Sequence, residues 1–239
     1  ATTFGGITAF TDLVLDAARQ AEQAAGIGIG VVIAANRTRH PLDARTLARL
    51  AAKYAGRGVV GFGLSNDERR GVTEEFEAAF SIARRAGLAS MPHGGELRGA
   101  DSVARCLSSL GADRIGHGVR CVEDSGVLDR VVRSGATLEV CPTSNVSLGV
   151  YSTFEEVPVR PLIDAGVGVA LGADDPLLFG SRLADQYTVL RVAQEFTDAE
   201  LAGLARTSLR ASYAPASLVS DALDEIDRWL AAPDECVGG

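Results

Sequence analysis

Positive charge, aromatic residues and histidine are all scarce in this sequence, and each shortage closes off a class of function. Its 239 residues carry 23 Lys and Arg against 31 Asp and Glu, a formal charge of −8. No basic stripe is left to track a phosphate backbone, so nucleic acid is excluded as a partner and a small molecule is expected instead. The longest apolar runs, such as 26–35, are too short to cross a bilayer, which argues against a membrane protein. No charged-then-apolar leader opens the chain, and the expectation is a cytoplasmic protein. The cysteines, Cys106, Cys121, Cys141 and Cys236, show none of the CxxC spacing of a zinc knuckle or a redox pair. They are expected as buried free thiols in a reducing compartment. No GxGxxG opens a helix, which argues against a dinucleotide fold. Only His40, His93 and His117 are histidines.

What is present is a composition for one large core: 46% hydrophobic residues, 23% charged and 27 glycines. A single domain over 1–239 is expected. The apolar residues from Ile7 to Ala25 recur at helical spacing and stop at Gly26; Ile27 to Ala35 is then an unbroken apolar run, the mark of a strand buried on both faces. The unit repeats. Strands are predicted over Gly58–Leu64, Leu88–Pro92, Arg114–Val119, Ala136–Cys141 and Val167–Gly172. Helices are predicted from Asp43 as N-cap through Tyr54, over Thr73–Ala86 with Thr73 as cap, and over Ser102–Leu110, Gly126–Arg133 and Pro161–Ala165. After Leu183 the pattern is wholly helical. Apolar strands alternating with helices indicate an α/β fold on a parallel sheet.

The residues able to do chemistry fall at the carboxyl ends of those strands. His93-Gly94-Gly95-Glu96 ends one, His117 lies late in another, Asp174-Asp175 follow a third, and Asn66-Asp67-Glu68 and Cys141-Pro142 reach the same level. In a (β/α) barrel such ends converge on one mouth, whereas a doubly wound sheet would spread them along a crevice. His93, His117, Glu96 and Asp174 are the residue types of a hydrolytic metal site: neutral imidazoles and a carboxylate as ligands, and an acid to move protons. Taken alone, His-Gly-Gly-Glu also reads as a surface turn, and Asp174-Asp175-Pro176 as a helix-capping turn. His40, in the polar loop Asn36–Pro41, has no acid beside it and reads as a loop residue; Cys141 reads as core.

Several motifs in one order carry a resemblance. His93-Gly94-Gly95-Glu96, Arg114-Ile115-Gly116-His117-Gly118, Leu138-Glu139-Val140-Cys141-Pro142 with Ser144-Asn145, and Asp174-Asp175-Pro176 resemble the adenosine deaminase family of metal-dependent hydrolases. The resemblance implies a (β/α)8 TIM-type barrel that uses a bound zinc ion to hydrolyse the 6-amino group of a purine. Carried across, His93 and Asp174 would be metal ligands and Glu96 would protonate the ring nitrogen. His117 would orient the metal-bound hydroxide, and Asp175 would hydrogen-bond the purine.

The family's first strand carries a His-x-His pair that completes the zinc ligands, and this sequence has none, so the first two barrel strands are expected to be absent and the zinc site incomplete. Gly63, Asn66 and Gly94 stand where adenosine-specific members tend to have aspartate, glycine and alanine, and are expected around the purine pocket. Together with the Asn36–Pro41 and Phe62–Glu68 stretches they are more similar to the actinobacterial deaminases of 6-aminodeoxyfutalosine, in menaquinone synthesis. The partner implied is a small adenine nucleoside. A plain adenosine deaminase, a non-catalytic purine-binding remnant and another amidohydrolase-type metal enzyme remain alternatives; the cytidine deaminase type is excluded, because its H-x-E and P-C-x-x-C signature is absent. Six parallel strands of an open barrel are expected, with further protein or a homodimer contact covering the gap.

Overall fold

In the computed structural model, residues 2–232 are described; Ala1 and residues 233–239, which include Cys236, lie outside the described residues. The expected α/β repeat is present: β1 (Val31–Asn36), β2 (Val59–Ser65), β3 (Ala89–Gly94), β4 (Arg114–His117), β5 (Thr137–Val140) and β6 (Gly168–Leu171). The interleaved helices are α1 (Ile7–Ala25), α2 (Pro41–Lys53), α3 (Glu77–Arg85), α4 (Ala100–Leu110), α5 (Ser125–Ser134), α6 (Pro142–Ser147) and α7 (Val159–Asp164). After β6 come α8 (Pro176–Phe179), α9 (Leu183–Ala193), α10 (Asp198–Arg210) and α11 (Ala216–Ala231).

All five strand pairings are parallel and the spatial order is β1-β2-β3-β4-β5-β6. An order that never reverses is barrel winding; a doubly wound sheet would double back. Among the described residues the sheet is open, six strands in place of the eight of a closed barrel, as expected. At its β1 edge the inward-facing Val32 is 40% exposed, and Phe10 and Leu13 of α1 are 42% and 50% exposed. The outward side chains Phe62 and Leu64 of β2, Ile115 of β4, and Leu138 and Val140 of β5 pack under the helices and form the core. With a side-chain period of two, their neighbours Gly63, His93, Gly116 and Glu139 face the barrel interior.

Several boundaries differ from the sequence reading, and three of them have a specific cause. β1 begins at Val31, because Gly28 and Gly30 precede any cross-strand partner. Pro41 occupies the first turn of α2, so His40 and not Asp43 is the N-cap, its Nδ1 accepting from Leu42 N at 3.1 Å. Thr73 opens a 3-10 turn and caps nothing, since its hydroxyl accepts from the buried guanidinium of Arg37 at 3.0 Å.

Candidate active site

β3 alternates: Ser90 and Pro92 are buried against the helix layer, while Met91 and His93 face inward. His93 pairs with Gly116 of β4, where a Cβ would stand 2.7 Å from His93 Nδ1, so the missing side chain is the space the imidazole fills. By alternation the next residue, His117, would turn toward the helices. Its φ of 62° re-aims it, and the two rings meet edge to face with centroids 5.2 Å apart. Asn66 and Asp174, at the ends of β2 and β6, also have positive φ, 81° and 56°. Such conformations cost a non-glycine residue about 1–3 kcal/mol each, and three of the four among the described residues lie at this one mouth.

Glu96 reaches the cluster from the loop between β3 and α4. Its Oε1 lies 3.5 Å from His117 Nε2, and Asp174 Oδ2 lies 3.8 Å from the same nitrogen. Burial, reinforced by the charges of Asp174 and Glu68, pushes the Glu96 carboxyl up to about 7. Burial, with His93 beside it, pushes His117 down to about 4, and burial lowers His93 as well. At neutral pH the mouth therefore holds two neutral imidazoles and a carboxylic acid poised to give up its proton. Asn145, fully buried, sets its amide nitrogen 3.3 Å from His117 Nδ1, which leaves the ring proton on Nε2, facing the two carboxyl groups. Ser144 donates to Asp174 Oδ2 at 2.7 Å and fixes that carboxylate.

The donor chemistry suits a metal ion. The ligand atoms of His117, Cys141 and Asp174 lie within 4.8 Å of one another, and the buried Nδ1 of His93 has no hydrogen-bond partner among the described residues. Imidazole and carboxylate are groups zinc takes, so the unpartnered imidazole of His93 and the carboxylate of Asp174 fit the ion. His93 stands beside that cluster of three, not within it, and Cys141, expected as core, is buried yet joins it.

The expected substrate residues divide. Asp175 is exposed, and its Oδ1 accepts from Leu177 N and Leu178 N as the N-cap of α8; only its other oxygen is free for a ligand. Asn66 is exposed at the rim, its Oδ1 turned to Asp67 N. Gly94 does not face the pocket: a Cβ there would lie 2.6 Å from Cys106 Sγ, because alternation turns this position toward α4. Gly63 does face inward, its absent side chain bordered by Ala34, Val32 and the Met91 carbonyl.

Two residues have roles that the sequence reading did not assign, although it placed Glu68 with Asn66 and Asp67 at a strand end and Arg37 in the Asn36–Pro41 loop. Glu68, 1% exposed, accepts from the backbone N–H groups of Gly95, Glu96, Leu97 and Arg98 and from the Ser102 hydroxyl. Arg37, also 1% exposed, donates to the His93 carbonyl at 2.6 Å. Neither role carried a signal, since the partners that define it are largely main-chain groups brought close only by folding.

A family model described as adenosine deaminase matches residues 5–229. A Streptomyces coelicolor protein named "Putative adenosine/adenine deaminase" is 59% identical over 228 residues, covering 95% of this chain and 66% of the relative. The chain thus spans just under two thirds of that relative's length. Among solved structures, an adenine deaminase from Arthrobacter aurescens superposes with a TM-score of 0.86 at 32% identity, over 92% of this chain and 67% of the other. A zinc-bound amidohydrolase from Burkholderia ambifaria superposes with a TM-score of 0.85 at 21% identity, over 96% and 66%, a likeness of fold.

Proposed function

The chain belongs to the adenosine deaminase family, and from that premise we propose that its strand-end cluster removes the 6-amino group of an adenine ring by hydrolysis, with zinc as cofactor. One observation carries the reading: Glu96, its carboxyl pushed up to about 7, faces a neutral His117 at 3.5 Å across the mouth of the barrel. Attack of water at the amino-bearing carbon drives negative charge onto the ring. Glu96 supplies a proton to the ring nitrogen, help worth roughly 10²–10⁴-fold. His117, its Nδ1 held by Asn145, directs Nε2 at the incoming water and orients it. His93 and Asp174 would hold the zinc, with Ser144 fixing the Asp174 carboxylate. Bound there, zinc would supply the Lewis acidity that makes water a nucleophile near neutral pH. Asp175, through its free oxygen, and Asn66 at the rim hydrogen-bond the purine.

His93 and Asp174 are two ligands where zinc sites use three or more. The remaining ligands and the cover for the open seam between β1 and β6 come from further protein at that gap or from a second copy of this chain. The competing reading, a purine-binding remnant without chemistry, predicts no tightly held zinc. Intact mass and zinc content of the protein as it is made separate the two.

Within the class, the proposed substrate is 6-aminodeoxyfutalosine, supported by Gly63 facing the interior and Asn66 at the rim, which depart from the adenosine-specific pattern, and by Arg182, exposed just beyond Phe179, which could pair with a carboxylate on the ribose substituent. The names of the relatives favour adenine or adenosine. Pocket changes of about a methylene alter selectivity only ~10–200-fold, so the alternatives should be detectable together. Steady-state kcat/KM for adenine, adenosine and 6-aminodeoxyfutalosine on zinc-loaded protein decides: a higher value for either simpler substrate replaces the futalosine reading, and no turnover of any adenine compound removes the deaminase proposal. Glu96→Gln should keep zinc and fold while losing about 10²-fold or more in turnover.

A further inference from the structure

The loop that carries Glu96 is bound from beneath by a buried charge. Gly95 N donates to Glu68 Oε1 at 2.6 Å, and Glu96 N, Leu97 N and Arg98 N donate to Oε2 at 2.9, 2.7 and 2.9 Å. The Ser102 hydroxyl, in the first turn of α4, adds a fifth bond to Oε1. Four successive amides converging on one anion form a nest, the geometry that elsewhere holds phosphate. Here the anion is built in. The loop can take this shape only because position 95 is glycine: its φ is +70°, and a Cβ would collide with Val103. On the other side of the same turn, Arg37 donates to the His93 carbonyl at 2.6 Å, so a buried cation and a buried anion grip the backbone before and after Gly94.

We propose that Glu68 is a positioning residue for the site: its carboxylate fixes the main chain of residues 95–98 and thereby the point from which Glu96 reaches His117 and the substrate. The inference rests on the deaminase reading for its catalytic consequence alone; the clamp itself is a property of this chain. Burial by itself would raise the Glu68 carboxyl, yet the bonds from Ser102 and from the Arg98, Gly95 and Leu97 amides outweigh it and hold it below the usual range, as an occupied nest requires. Its fixed negative charge also helps keep the proton on Glu96. Glu68→Gln, close in size, retains one acceptor oxygen and turns an NH2 group toward amides that also donate, so it should release the loop.

Backbone amide exchange on this chain tests the clamp. In Glu68→Gln, exchange at residues 95–98 should quicken tenfold or more while Ile115 and Leu138 in the sheet keep their rates. Unchanged exchange at 95–98, or an equal rise across the sheet, would overturn the proposal. Should Glu68→Gln fail to fold, the wild-type proton spectrum decides: the amides of 95–98 should stand together downfield, as donors to a carboxylate do, and their absence there rejects the clamp. Ser102→Ala, which leaves all four amide bonds, should keep their protection; its loss would place the grip in Ser102 instead. In zinc-loaded, active protein, Glu68→Gln should lower kcat about 10²-fold at near-constant KM, as misplacement of a catalytic group does. A fall in KM-dependent rate alone would reassign Glu68 to binding. Absence of deamination in the wild type would count against the proposed function and leave the exchange result standing.

Discussion

Gly116→Ala puts a single methyl group where the sequence marks nothing unusual. The added carbon would lie 2.7 Å from His93 Nδ1, 2.9 Å from Cγ and 3.0 Å from Cε1, against an ordinary contact that begins at 3.4 Å. The ring must retreat by about 0.7 Å or the strands must part. Parting is resisted, because Gly116 and His93 are register partners and Gly116 is also paired to Glu139 on its other side. The imidazole therefore yields. Overpacking of this kind costs roughly 1–3 kcal/mol of stability. A ligand displaced by this much should lower metal affinity by about 10–100-fold, the range seen when support for a ligand is removed. Zinc titration against a competing chelator, with urea unfolding in parallel, reads both quantities. Wild-type zinc affinity together with wild-type stability in Gly116→Ala would refute the claim that the imidazole occupies this gap and that His93 belongs to the metal site. Lost stability with unchanged zinc affinity would keep the packing and remove His93 from the ligands.

Ser144→Ala removes the hydroxyl that donates to Asp174 and should weaken zinc binding by about 10–100-fold with little effect on the unfolding midpoint; unchanged affinity would show that Asp174 needs no support. Glu96 gives a pH-dependent stability in the metal-free chain. Its folded value of about 7 exceeds the unfolded ~4.3, so the native state binds the extra proton between those values and its ionisation cost is fully present above about pH 7 and absent below about pH 4. Glu96→Gln should therefore be more stable than wild type at pH 8, by up to about 4 kcal/mol, and no more stable at pH 4; equal midpoints at pH 8 would refute the buried-acid assignment. Cys106, Cys121 and Cys141 are buried, and burial raises all three thiols, the first two to about 12. Iodoacetamide at pH 8 should leave them unmodified until the chain is denatured, as peptide mapping would show.

The periodic signals in the sequence belong to the helix layer and the outer face of the sheet, and these were legible because burial there depends on local spacing. The apolar strand runs alternating with helices indicated a parallel sheet, while the fold decided which side of each strand is core, with Leu138 and Val140 bracketing the inward Glu139 and Phe62 and Leu64 flanking the inward Gly63. The placing of His93, His117 and Asp174 at strand ends followed from the succession of apolar strands and helices, and the eight-stranded barrel class from the family resemblance. Boundaries were less legible where a residue far along the chain takes the cap, as Arg37 does with Thr73. What only the tertiary structure decided is the site's tuning. The Glu96 carboxyl rises because folding buries it near Asp174 and Glu68, residues distant in the chain. Gly94 turns its missing side chain to α4 and not to the pocket, a consequence of strand phase that no motif match contains. Glu68 binds main-chain amides 27 to 30 positions away, and a backbone N–H is the same at every residue but proline, so no residue type could announce that contact in advance.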